Sequence, residues 1–165
     1  MVIIHGTQKL LNRLPGSACS GSVSAVEPMH NWYATAWFWR PQLVLLVHET
    51  TLFPVVMPLA PAQSLGARMA EWVELTLRMA GLDAAQVDLA VELLRGQPVQ
   101  LAKTSNRSVV SVMSQWSFDA EASRRYHNIT DPVVLALRLA DTPTSPLYKS
   151  HVFPRAAMQA LLQSL

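Results

Sequence analysis

A chain of 165 residues, half of them hydrophobic and 15% charged, has the balance of a folded domain with a sizeable core, not that of a disordered chain. The net charge of +2, with 13 Lys and Arg residues and no basic run longer than Arg124-Arg125, permits a nucleic-acid partner without favouring one. No apolar run reaches the length of a membrane span, the start MVIIHGTQK lacks a secretory pattern, and the single cysteine, Cys19, has no internal partner. The expectation is one globular domain over residues 1–165, in a reducing cytoplasm, with no membrane partner.

In chain order, residues 2–5 form a short apolar run that reads as a strand, and Gly6 breaks it. Thr7 is placed to cap a helix with Leu10, Leu11 and Leu14 on one face and Lys9 and Arg13 beside it; Pro15-Gly16 is its stop. Residues 17–24, rich in Ser and Gly, read as a loop and as the best place for a mobile segment.

Residues 31–59 organise the rest. Apolar runs at 32–39, 43–47 and 52–57 are rich in Val, Trp, Tyr and Phe, and short polar or proline-bearing breaks divide them. Runs of that kind are strands, and breaks that short force an antiparallel meander. Alternation sends Trp32 and Phe38 to one face and Tyr33, Trp37 and Trp39 to the other. Residues 63–80 then change period: Leu65, Met69, Trp72, Val73, Leu77 and Ala80 recur at helical steps, with Ser64 as cap and Gly81 as the left-handed stop. Asp83 and Gln86 resemble a capping box for a second helix that buries Val87, Ala90, Val91 and Leu94. The two make a hairpin over one sheet face.

Residues 99–102 read as a short extended piece. Val109, Val112, Met113 and Trp116 then form a complete helical stripe, preceded by the cap formers Thr104, Ser105 and Asn106. The weak helix propensity of Val and Ser leaves a strand over 108–113 as the competing reading. Residues 133–139 are open between helix and strand. Pro154 opens a final helix with Ala157, Met158, Leu161 and Leu162 on its buried face. The fold class is α+β: a central antiparallel β-meander with the helix hairpin and further helices packed on it. Tyr33, Trp37 and Trp39 need a cover and the 109–116 stripe needs a surface, so the two are expected to meet.

Several landmarks together resemble a known family. They are the strand and basic-leucine helix of residues 5–14, Asn31-Trp32-Tyr33-Ala34, Thr51-Leu52-Phe53, Asn106-Arg107-Ser108-Val109 with Met113, Thr142-Pro143 and Pro146-Leu147. Their order and spacing are similar to a family of short bacterial proteins catalogued as a domain of unknown function. Its members often carry Gly-Asp before the Trp-Tyr pair and Asn before the Thr-Pro pair, where this chain has His30-Asn31 and Ala140-Asp141. The resemblance implies a compact bacterial α and β domain and no particular activity.

The residues themselves favour no catalyst. Five His and one Cys show no paired ligand spacing, so neither a metal nor a cofactor is expected. Cys19 and the serines 17, 20 and 22 lie in a loop without a nucleophile elbow or basic neighbours. An anion cradle has the better case: a helix start at Asn106, Arg107 and Ser108, with Lys103 near, offers free N–H groups, a guanidinium and a hydroxyl. Against it stands a capped helix whose Arg107 pairs with Glu49 or Asp141. Tyr33, Trp37 and Trp39, with Arg124 and Arg125, are either covered or offer a surface to a partner or a stacked base. The favoured reading is a non-enzymatic interaction module with a protein partner, with a mobile-element or defence locus as its expected setting. The alternatives are a nucleic-acid or phosphorylated-ligand binder using the Arg107 helix start, and an enzyme whose site is dispersed in sequence.

Overall fold

The computed structural model describes residues 1–20 and 23–165. Gly21 and Ser22, inside the loop read as mobile, lie outside the described residues. Among the described residues five strands form one sheet: β1 (Val2–Gly6), β2 (Asn31–Trp37), β3 (Leu43–His48), β4 (Pro54–Pro58) and β5 (Val99–Lys103), in the order β4-β3-β2-β1-β5. The fold is α+β, and β2, β3 and β4 make the antiparallel meander. The meander is not the whole sheet, nor is it central. β1 lies between β2 and β5 and runs parallel to both, so the sheet is mixed. Short breaks in sequence reveal hairpins; parallel neighbours need long crossovers: residues 7–30 join β1 to β2, and β5 reaches its place beside β1 only after residues 59–98 cross from β4 at the opposite edge.

Alternation divides the sheet into two buried faces. Ile4, Trp32, Ala34, Val44, Leu46, Val55 and Met57 join the core that takes in Leu10 of α1 (Gln8–Leu11), α2 (Leu65–Met79) and α3 (Ala84–Glu92). Tyr33, Trp37, Leu43, Leu45, Val47 and Val56 face α4 (Arg107–His127). The predicted meeting occurs: Tyr33 and Trp37 share a cluster with Val109, Val112, Met113 and Trp116. α5 (Pro132–Ala140) packs along β4, with Leu135, Ala136 and Leu139 in the second core and Ala140 in the first. α6 (Pro154–Gln163) adds Met158 and Leu162 to the first core and Ala157 to the second.

Local chemistry sets the boundaries. Asn106 decides for a helix over 108–113: its Oδ1 accepts from the N–H groups of Ser108 and Val109, at 3.0 and 3.3 Å. Asp131 caps α5 in the same way, so residues 133–139 are helical. Asp83 accepts from the N–H of Gln86 at 3.1 Å. Two expected caps are spent elsewhere. Thr7 Oγ1 bonds to Thr35 Oγ1 at 2.9 Å, and Ser64 Oγ donates to the Pro61 carbonyl and accepts from Arg68 Nε. β2 ends at Trp37, two residues before its apolar run does, and Phe38 and Trp39 belong to the turn into β3.

Candidate functional site

The parallel strands define where an open site falls. After β1 the chain enters α1 on the first face; after β5 it enters α4 on the second. Adjacent parallel strands whose following helices part to opposite faces leave a crevice outside their carboxyl ends. Two shallow hollows occupy this place, of about 370 and 320 Å³, sharing Val110 as a wall. Thr104, Ser105, Arg107 and Ser111 line the first; Thr7, Lys9, Thr35, Met113, Ser114 and Ser117 line the second. Hydroxyls dominate and none of these residues is acidic.

Beneath this crest the polar groups are tied to one another. His5 is buried, with its ring stacked on Tyr33 at 4.6 Å between centroids. Its Nδ1 lies 3.3 Å from the Lys103 carbonyl oxygen, and because a carbonyl only accepts, Nδ1 carries the proton. Nε2 is buried with no hydrogen-bond partner among the described residues. The Tyr33 hydroxyl accepts from the Asn106 N–H at 2.9 Å and meets Ser105 Oγ at 3.3 Å. Tyr33 therefore anchors the α4 start to the sheet.

The structure does not bring Lys103, Asn106, Arg107 and Ser108 into one hollow. Asn106 occupies two of the free helix amides with its own side chain. Ser108 lies on the other flank of α4, in a groove of about 370 Å³ with Gln115, Asp119, Thr142, Pro143 and Tyr148. Consecutive helix residues point about 100° apart, so neighbours in sequence divide between flanks. Arg107 alone of the four lines the crest hollow, with the exposed Lys103 at the end of β5. Arg107 makes no ion pair among the described residues: Asp141, one of its offered partners, binds Arg155 at 2.8 Å. Glu49 stands at the opposite end of the sheet, on the turn after β3.

The aromatic group is mostly covered. Tyr33 and Trp37 are buried, and Trp37 Nε1 donates to Ser117 Oγ at 2.8 Å. Trp39 stacks on Trp37 at 4.7 Å, and the Arg124 guanidinium lies 4.7 Å from the Trp39 ring centre. Arg124 also pairs with Glu121 at 2.9 Å, and Arg125 reaches the same carboxylate at 3.9 Å. Of the aromatics in residues 32–39, Phe38 is the one left open, at 47% exposure; Phe118 and Tyr126 of α4 and Tyr148 are exposed elsewhere. Lys9 Nζ and Arg13 Cζ lie 6.0 and 5.2 Å from its ring centre, and Arg13 is held to the turn by Gln42 Oε1 at 2.8 Å. The sequence pattern does not mark Thr7, Lys9, Arg13, Thr35 or Phe38 as site residues. The only signal for them was a Lys and an Arg at i, i+4 directly after a strand end.

The opposite end of the sheet is closed. His48 Nδ1 accepts from the Thr51 N–H at 3.2 Å and Nε2 donates to the Pro28 carbonyl at 2.7 Å, which fixes the tautomer. Burial lowers its pKa to about 4, only partly offset by the Pro28 hydrogen bond. Elsewhere an apolar cleft of about 560 Å³ lies between the start of α2 and β5. Among the described residues no three His, Cys, Asp or Glu side chains gather as a metal centre requires, and no helix is long and apolar enough to cross a membrane.

These features define an α+β domain with one closed sheet end and one open, cation-bearing crest. Over residues 3–157 the chain matches the family model described as Domain of unknown function (DUF6933), and it belongs to that family. No curated protein and no solved structure matches it.

Proposed function

We propose that this domain is a non-enzymatic, cytoplasmic binding module that takes a phosphate-bearing ligand at the crest formed by β1, β2 and β5. One observation carries the reading: contiguous hollows lined by seven hydroxyl residues and flanked by Lys9 and Arg107, with no carboxylate in either lining. Neither cation makes an ion pair among the described residues. Hydroxyls donate to phosphate oxygens, and a guanidinium matches them with two parallel bonds. The α4 amides contribute less than their number suggests, because Asn106 takes two of them. An enzyme would need a deep pocket joining Arg107 to a histidine and a carboxylate, and the Arg107 hollow is lined by neither.

The test is calorimetric titration with inorganic pyrophosphate at low salt. Saturable binding is expected, weakened at least about ten-fold in Arg107→Ala, as losing a charge-assisted hydrogen bond implies. Wild-type protein that takes no pyrophosphate, or an Arg107→Ala variant that binds unchanged, overturns the reading.

A further inference from the structure

We propose that the crest binds a single strand of nucleic acid, with Phe38 as the platform for a base; this rests on the anion reading above. The cations extend beyond the hollows. Lys9 lines one hollow and also flanks Phe38 beside Arg13. Arg40 follows on the same turn, exposed and in no ion pair among the described residues. Lys103 and Arg107 stand on the other side, beyond β1. From β5 to β2 is two strand spacings, about 10 Å, too wide for one phosphate group to touch both sides. A strand with repeated phosphates spans that width. The carboxylate on the adjoining flank of α4, Glu121, is shared by Arg124 and Arg125.

Phe38 supplies what a compact anion does not need. Its ring stays half exposed at the edge of a cationic surface, on a turn pinned by the Arg13–Gln42 bond. Trp39, its neighbour, already has Trp37 and the Arg124 guanidinium against it. Among the described residues no aromatic ring stacks on Phe38, and its cation neighbours, Arg13 and Lys9, sit on flexible side chains at 5.2 and 6.0 Å. A half-exposed ring beside cations is the pairing that unpaired strands require, since the base stacks and the backbone meets positive charge. A duplex fits less well, because α1, the helix at this edge, has only four residues and does not fill a major groove.

The experiment is fluorescence anisotropy of the full chain with a labelled 20-nucleotide oligothymidine, across a salt series. Affinity should fall with salt with a log–log slope of about −2 or steeper, as three phosphate contacts on a single strand give. Phe38→Ala should weaken binding about five-fold or more, Phe38→Trp should restore it, and both should melt as wild type. Arg40→Glu, at an exposed position, should weaken binding and flatten the slope, which keeps the test open if Phe38→Ala misfolds. Binding of pyrophosphate without the oligonucleotide overturns the strand proposal and leaves the anion reading standing; binding of neither overturns both. Oligonucleotide binding that ignores Phe38→Ala and Arg40→Glu, or a preference for duplex DNA or anionic vesicles, also overturns it.

Discussion

The two ends of the sheet are built on opposite principles. Where β3 turns into β4, the buried side chains His48 and Thr51 are hydrogen-bonded to the backbone of the turn and of the segment before β2. His48 accepts from one backbone group and donates to another, Thr51 Oγ1 accepts from the Phe53 N–H at 3.2 Å, and Trp32 Nε1 donates to the Met29 carbonyl at 2.8 Å. His48 and Trp32 meet edge to face at 5.1 Å and both are fully buried. At the crest, hydroxyls and cations crowd together with no acid lining the hollows. A buried polar group without a partner costs free energy, whereas an exposed cation keeps its water. The closed end can therefore carry stability while the crest is the proposed place of binding, and a substitution at one should leave the other's readout largely intact.

The strongest test of that division is Trp32→Ala. It removes a fully buried ring from the closed end and should cost about 3–5 kcal/mol in urea denaturation. Acid is the next. His48 stays neutral in the fold down to about pH 4 but protonates near 6.5 once unfolded. Below 6.5 the unfolded state binds the extra proton, so stability falls as pH falls and levels off near pH 4. The integrated loss is about 3 kcal/mol, and His48→Gln should remove that part of the slope. Asn106→Ala lies between the two regions, because Asn106 caps α4 and is anchored by Tyr33. It should cost about 1 kcal/mol, read by thermal melting. Smallest in stability is Arg107→Ala, within about 0.5 kcal/mol, although pyrophosphate binding should fall sharply. A large loss of stability there would break the comparison, since it would make the crest structural.

The periodicities that survive in the structure are those a single element reveals by itself. The meander follows from three apolar runs with short breaks, and α2 and α4 follow from stripes such as Val109, Val112, Met113 and Trp116. Residues 133–139 were ambiguous because Leu135, Leu137 and Leu139 alternate; the Asp131 cap bonds resolve them as helix. The crest was less legible. Arg107 and Lys103 stand out in one segment, but Lys9, Arg13 and Phe38 come from other elements and meet only when β1 and β2 lie side by side. Ser108 shows the converse: its place in the motif suggested the anion site, and helical twist put it on the other flank.

Sequence alone determined the α+β class, the antiparallel meander, the helix stripes and the partners they would seek, because apolar spacing and cap chemistry are local. Tertiary structure alone decided that β1 runs parallel between β2 and β5, and that α1 and α4 leave on opposite faces. The reason is that parallel pairing joins segments separated by long crossovers, whose hydrogen bonds leave no period in the chain. The open crest is a product of that pairing, so its residues are scattered in sequence and gathered only by the fold.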